Sequence, residues 1–205
     1  MAVNASSFPA PSAATIATAV AAAVPTTAGI TSIVQANAAS PYGGTITNLG
    51  FVSGNGVNTV TFSSLTGYKK LVLFWQGIDS TGSSSFRIRL NSDSGNNYAY
   101  TGVEFQNTSN NRNVGVRQTS IYLGGMGTGA NNCDGSGMLE LFDTNSGAYK
   151  TGTNFATSYN GFSAYAYDWR VLWASTAAIS SITISNDSAN FTTTGTGGFY
   201  LKGLA

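Results

Sequence analysis

Carboxylates are the groups in this chain best placed for acid–base chemistry, because it contains no histidine. The acids are Asp79, Asp93, Glu104, Asp134, Glu140, Asp143, Asp168 and Asp187. Glycoside hydrolysis asks for two of them across one bond, one acting as acid and the other as base or nucleophile. Most of these acids fall in turn-like runs, where an Asp serves its own backbone. Glu140 and Asp168 fall inside strand-like runs instead, and they are the two a polysaccharide depolymerase would use. Their spacing alone singles out no pair. The missing histidine also removes Ser-His and Cys-His nucleophiles and the commonest metal ligand. Cys133, the sole cysteine, sits in the loop-like run Asn132-Cys133-Asp134-Gly135 with no base to activate it and no partner for an intrachain disulfide. The expectation is a chain that is not an enzyme, with no catalytic residues, no cofactor and no metal.

Two runs could still offer oxygens to a cation. Asn91-Ser92-Asp93-Ser94-Gly95-Asn96-Asn97-Tyr98 places donors at alternate positions with a glycine inside, like the front half of a calcium loop. The distal bidentate Glu such a loop needs is missing, and a hairpin turn explains the same residues. Asp143-Thr144-Asn145-Ser146-Gly147 reads the same way. Aromatic rings offer a recognition surface: alternation over 162–173 puts Tyr165, Tyr167, Trp169 and Trp173 on one face. Exposed, such rings stack on sugars, which makes Tyr165, Tyr167 and Trp169 candidate glycan contacts. Buried, they fill a core, which is what a long central strand requires. The Asn-rich loop 106–113 is a second candidate contact.

The elements that would position these groups have a period of two. Strands are predicted at 45–52, 58–62, 69–78, 85–91, 97–104, 114–123, 136–142, 162–173, 179–185 and 198–203. Turn signals separate them at Gly54-Asn55-Gly56, 79–84, 93–96, 124–137 and 186–189. In Phe86-Arg87-Ile88-Arg89-Leu90 the apolar residues face in and the arginines out. Many short strands about ten residues apart, without helical periods between them, predict an all-β fold, a β-sandwich or jelly roll over 45–205.

Residues 1–44 are different. Neither acid nor base occurs before Lys69, and an uncharged stretch rich in Ala, Ser and Thr suits lying against another protein. Pro9 and Pro11 mark an extended lead; Ser12 caps a short α-helix over 12–24, which Pro25 ends. Ile16, Val20 and Val24 form one narrow apolar stripe on that helix, and Ile30, Ile33 and Val34 follow in a linker. A helix this short does not hold itself in water. The expectation is an N-terminal attachment arm whose apolar residues dock on a partner or on sister copies.

Charged residues make up 8% of the chain, against about 25% in an average soluble domain. The net charge is +1 with the cations scattered, which argues against nucleic-acid binding. The apolar part of 12–24 is too short to cross a bilayer. Its flank lacks the Lys or Arg of a secretory signal, so neither membrane insertion nor a cleaved leader is expected.

The runs Thr61-Phe62, Gly67-Tyr68-Lys69-Lys70-Leu71-Val72-Leu73 and Arg87-Ile88-Arg89-Leu90-Asn91-Ser92-Asp93-Ser94-Gly95-Asn96-Asn97-Tyr98 resemble a pattern in virion surface proteins of tailed bacteriophages. So do Ile179-Ser180-Ser181-Ile182-Thr183-Ile184, Asn190-Phe191 and the ending Gly198-Phe199-Tyr200-Leu201-Lys202-Gly203-Leu204. The likeness covers roughly 59–204, consists of strand and turn motifs, and says nothing about catalysis. It implies a jelly-roll-like domain of a phage particle, often trimeric, on tail fibres or as a capsid decoration. Without a repetitive shaft, the chain fits a short tail fibre, a head fibre or a cement protein. The expected partners are other virion proteins through 1–44, sister copies in a homotrimer, and a host surface glycan. The expected place is the particle surface, after synthesis in the host cytoplasm. A free carbohydrate-binding module and a polysaccharide depolymerase are the alternatives.

Overall fold

The computed structural model describes residues 44–82, 84–126, 135–159 and 163–205. The expected helix over 12–24, the attachment residues Ile16, Val20, Val24, Ile30, Ile33 and Val34, and Cys133 lie outside the described residues.

The described body is all-β, with strands β1 (Ile46–Val52), β2 (Thr59–Ser63), β3 (Lys70–Ser80), β4 (Ser84–Leu90), β5 (Tyr98–Gln106), β6 (Ser109–Gln118), β7 (Ile121–Met126), β8 (Gly135–Phe142), β9 (Lys150–Tyr159), β10 (Ala164–Trp173), β11 (Ser181–Asn186) and β12 (Phe191–Leu204). They form two antiparallel sheets. The larger runs β1-β12-β3-β8-β9-β10-β5-β6 and the smaller β2-β11-β4-β7. From β2 to β5 each connection crosses between sheets, as do β6 to β7, β7 to β8, β10 to β11 and β11 to β12. That alternation winds the chain into a two-sheet sandwich. Strands β9 and β10 and the β5-β6 hairpin widen the larger sheet beyond β8.

Alternation builds the core between the sheets. Phe86, Ile88 and Leu90 of β4 point inward and are almost wholly buried. Opposite them, β3 contributes Leu71, Leu73 and Trp75. Phe86 packs edge-on against Trp75, with ring centroids 5.0 Å apart, and against Phe191 at 5.9 Å. The outward Arg87 pairs with Asp187 at 2.5 Å, and Arg89 donates to the carbonyl of Thr119.

Three expectations change. The single strand over 114–123 is two strands: β6 ends at Gln118 and β7 starts in the other sheet at Ile121, after Arg117 takes a left-handed φ of 54°. The Asn-rich loop over 106–113 is largely the first half of β6. Bonded only to β5 and exposed along most of its length, β6 needs no apolar alternation. An unforeseen strand, β9, runs through the middle of the larger sheet. Its inward positions are Lys150, Gly152, Asn154 and Ala156, polar or small, so no apolar period announces it. A side chain at 152 has no room, since a Cβ there would lie 2.2 Å from the carbonyl oxygen of Glu140.

Candidate functional site

The aromatic face read from 162–173 is the core face. Tyr167, Trp169 and Trp173 are buried between the sheets, with Trp169 wholly inaccessible. Tyr100 and Tyr122 crowd around Trp169 at centroid distances of 5.8 and 6.1 Å. The Tyr167 hydroxyl accepts a hydrogen bond from the Gly125 amide at 3.1 Å, which ties β10 to β7 across the sandwich. Burial pushes the hydroxyls of Tyr122 and Tyr167 upward in pKa; for Tyr122 the neighbouring Tyr167 and Glu104 add to it. Tyr165, half-buried at the rim, stacks nearly parallel on Tyr167 at 6.2 Å and accepts a bond from the Gln106 side chain. The glycan-contact assignment is therefore corrected: Tyr167 and Trp169 present no ring face to solvent, and only Tyr165 keeps a partly open one.

Glu140 and Asp168 both point to the outer side of the larger sheet, but they do not face each other. In register, Glu140 lies opposite Thr153, and Thr153 opposite Arg170. Two strand spacings and two residues therefore separate the acids, roughly 12 Å between Cα atoms. Each also has a cation of its own. Glu140 binds Lys70 at 2.8 Å, on the side away from β10, and Asp168 binds Arg170. Glycoside chemistry aims two carboxyl groups at one bond, whereas here each carboxylate turns to a different cation.

The two cation-like runs are turns held by hydrogen bonds. At 91–98, Asn91 and Ser92 both adopt left-handed φ, 54° and 57°, and the Asp93 amide closes the turn onto the carbonyl of Leu90. The Asp93 carboxylate accepts from the Gly95 amide at 2.8 Å, the Asn97 side chain at 3.0 Å and Trp173 Nε1 at 2.7 Å. Burial alone would raise its pKa; these bonds, Trp173 foremost, outweigh it and hold the carboxyl below the ordinary Asp value. Near the 143–147 run, backbone carbonyls accept from a protein cation. Lys150 is buried, and its ammonium donates to the carbonyls of Ser146, at 2.8 Å, and Ala148. Burial lowers its pKa, while Asp143 acts in the opposite sense.

The feature that reading the sequence missed is the outer face of the larger sheet. Phe105 on β5 and Phe155 and Tyr159 on β9 stand there close to half exposed, joined by Val114 on β6 and by Ile46 and Phe51 on β1. Partly covered Val72, Phe74, Met138, Phe142 and Leu172 fill the rows between them. A trough of about 480 Å³, walled by Phe105, Phe155 and Met138 and floored by Ala166, crosses β8, β9, β10 and β5. A second hollow of similar volume adjoins it at Tyr159 and Tyr165. Cations lie over the rings: Arg170 over Phe155 at 5.9 Å, Lys70 over Phe142 at 5.0 Å and Lys202 over Phe74 at 5.7 Å. The signal was present in Leu71-Val72-Leu73-Phe74-Trp75, apolar at both parities. Such a run has no alternation by which to tell the inner row from the outer.

Chemically, this face can bury apolar surface, while both of its strand-borne acids are committed to ion pairs. Among the described residues no three His, Cys, Asp or Glu side chains gather as metal ligands, and no helix is long and apolar enough to cross a membrane. No family model, no curated protein and no solved structure matches this chain.

Proposed function

We propose that this chain is a non-enzymatic structural protein of a bacteriophage particle, joined to it through residues 1–44 and displaying the β-sandwich body as a short tail or head fibre. The observation that supports this reading is the pairing of two features. The body presents a sheet face with half-exposed rings at Phe51, Phe105, Phe155 and Tyr159, and the two acids on that face, Glu140 and Asp168, are paired with Lys70 and Arg170. Such a body is built to be packed among subunits. The uncharged stretch before Lys69 and the virion-like strand and turn motifs point the same way.

In this reading 1–44, with Ile16, Val20, Val24, Ile30, Ile33 and Val34, contacts other virion proteins and sister copies, the assembly being a trimer. The protein is made in the host cytoplasm and ends on the particle surface, where a host glycan is the target of a fibre. A second reading, a capsid decoration protein, is favoured by the breadth of the outer face, because a clamp buries wide surface against its neighbours.

The test is removal of residues 1–40 in a propagated phage that carries the gene. The truncated protein is expected to be absent from purified particles while accumulating as a soluble body. Particles that still contain it at the parental copy number overturn the docking role of the N-terminal stretch.

A further inference from the structure

We infer that the core of the sandwich binds one water molecule between Trp169 and Asn154, which accepts a hydrogen bond from the indole Nε1 and donates one to the amide Oδ1. The site goes beyond the reading above and does not depend on it, because it belongs to the folded body whatever that body is joined to.

Two buried polar atoms carry the inference, one a donor and the other an acceptor. Trp169 and Asn154 are both 0% exposed. Among the described residues, neither Trp169 Nε1 nor Asn154 Oδ1 has a hydrogen-bonding partner. Buried polar groups are nearly always satisfied, by protein or by ordered water. The two residues are also neighbours. In the β9–β10 ladder Trp169 lies directly opposite Asn154, and both side chains point inward. Residues so opposed have Cβ atoms about 4.5–5.5 Å apart.

The surrounding strands turn the two atoms toward each other. On its other side Trp169 faces Gly102 of β5, where a Cβ would lie 2.6 Å from Trp169 Cε3. The benzene edge of the indole therefore leans over β5, and the opposite edge, which carries Nε1, is turned to β9. Asn154 is oriented by its Nδ2, which donates across the sandwich to the carbonyl of Leu123 at 3.1 Å. Leu123 is the residue that a bulge in β7 leaves without a partner on β4. Reversing the amide would set Oδ1 against that carbonyl, so Oδ1 stays the arm without a donor. On the β8 side Asn154 faces Leu139, whose side chain has no proton to give.

Chemistry selects the occupant. A cation cannot accept from an indole N–H, and an anion cannot donate to an amide oxygen. A small neutral molecule that does both is required, and among close-packed rings water is the one that fits. The second lone pair of the Leu123 carbonyl takes its other hydrogen, which gives the water about three bonds, as buried waters usually have. The polar residue at an inward position of β9 is thus one wall of a hydration site.

A crystal structure of the full chain, at a resolution that shows ordered water, tests the inference on the parent protein. The expected result is an isolated density peak inside the sandwich, about 3 Å from both Nε1 and Oδ1. In solution, oxygen-17 relaxation dispersion counts long-lived internal waters. Asn154→Leu, close in size but without the acceptor, should lower that count by one. If Asn154→Leu does not fold, the parent's density decides. No peak at that place, a direct bond from Nε1 to Oδ1, or a count unchanged in folded Asn154→Leu would each overturn the inference.

Discussion

Tyr98 closes the turn between β4 and β5, and replacing it with Phe should give a stability loss that disappears in alkali. Its hydroxyl accepts from the Leu90 amide at 2.9 Å and lies 3.2 Å from the carbonyl oxygens of Leu90 and Asp93. Leu90 is fully buried, so Tyr98→Phe strands an amide proton with no access to water. That costs about 1–3 kcal/mol near neutral pH. Burial, opposed by the Leu90 backbone bond and reinforced by Asp93, pushes the hydroxyl from 10.0 up to about 12. Between those values the unfolded chain loses the proton and the native protein keeps it. Wild-type stability therefore falls with rising pH, by about 1.4 kcal/mol per unit and about 3 kcal/mol in all. A Phe has no proton to lose, and the raised Tyr122 and Tyr167 cancel because both proteins contain them. Urea unfolding of the two proteins from pH 7 to 12 should show a wild-type advantage that is constant to about pH 9, then shrinks and vanishes or reverses by pH 12. An advantage unchanged across the whole range would refute the burial argument for this hydroxyl.

Asp93→Asn weakens the charged acceptor of Trp173 Nε1 and should cost about 1–2 kcal/mol in urea unfolding at pH 7. Because folding lowers this carboxyl's pKa, its contribution is complete above about pH 4 and is lost as acid protonates it; the Asp93→Asn protein should lose less stability below pH 4 than the parent. Gly102→Ala would place a Cβ 1.9 Å from the carbonyl oxygen of Asp168 and 2.6 Å from Trp169. Neither backbone nor buried indole can retreat, so a loss of about 3 kcal/mol or more, or failure to fold, is expected in the same assay. Neither Glu140→Gln nor Asp168→Asn should alter reducing-sugar release from bacterial surface polysaccharide, which the parent should not produce; release abolished by both changes would restore the hydrolase reading.

Alternation made the sandwich legible where one sheet face meets the core and the other meets water. Phe86-Arg87-Ile88-Arg89-Leu90 is such a strand, and β11 with Ile182 and Ile184 is another. It failed at β9, where a buried lysine is satisfied by loop carbonyls and a buried asparagine donates across the sandwich to the carbonyl of Leu123 at 3.1 Å. Polar residues at inward positions erase the period although they sit in the core, Lys150 on its carbonyl bonds and Asn154 with its Oδ1 left without a partner among the described residues. The glycan candidates Tyr167 and Trp169 were placed on the correct side of their strand, but that side proved to be the interior. The outer face went unread because β3 and β8 carry apolar residues at both parities. From sequence, such strands look simply hydrophobic; the fold shows that one of the two rows has no second sheet over it within the body.

Copy-resolved mass spectrometry of density-purified phage particles encoding this chain tests the whole account most directly. The account predicts the protein in the particle fraction at several copies per virion, retained through high-salt washing, with antibody against the body labelling the particle exterior. Protein found only in the soluble lysate, with particles complete and infectious without it, would contradict the account.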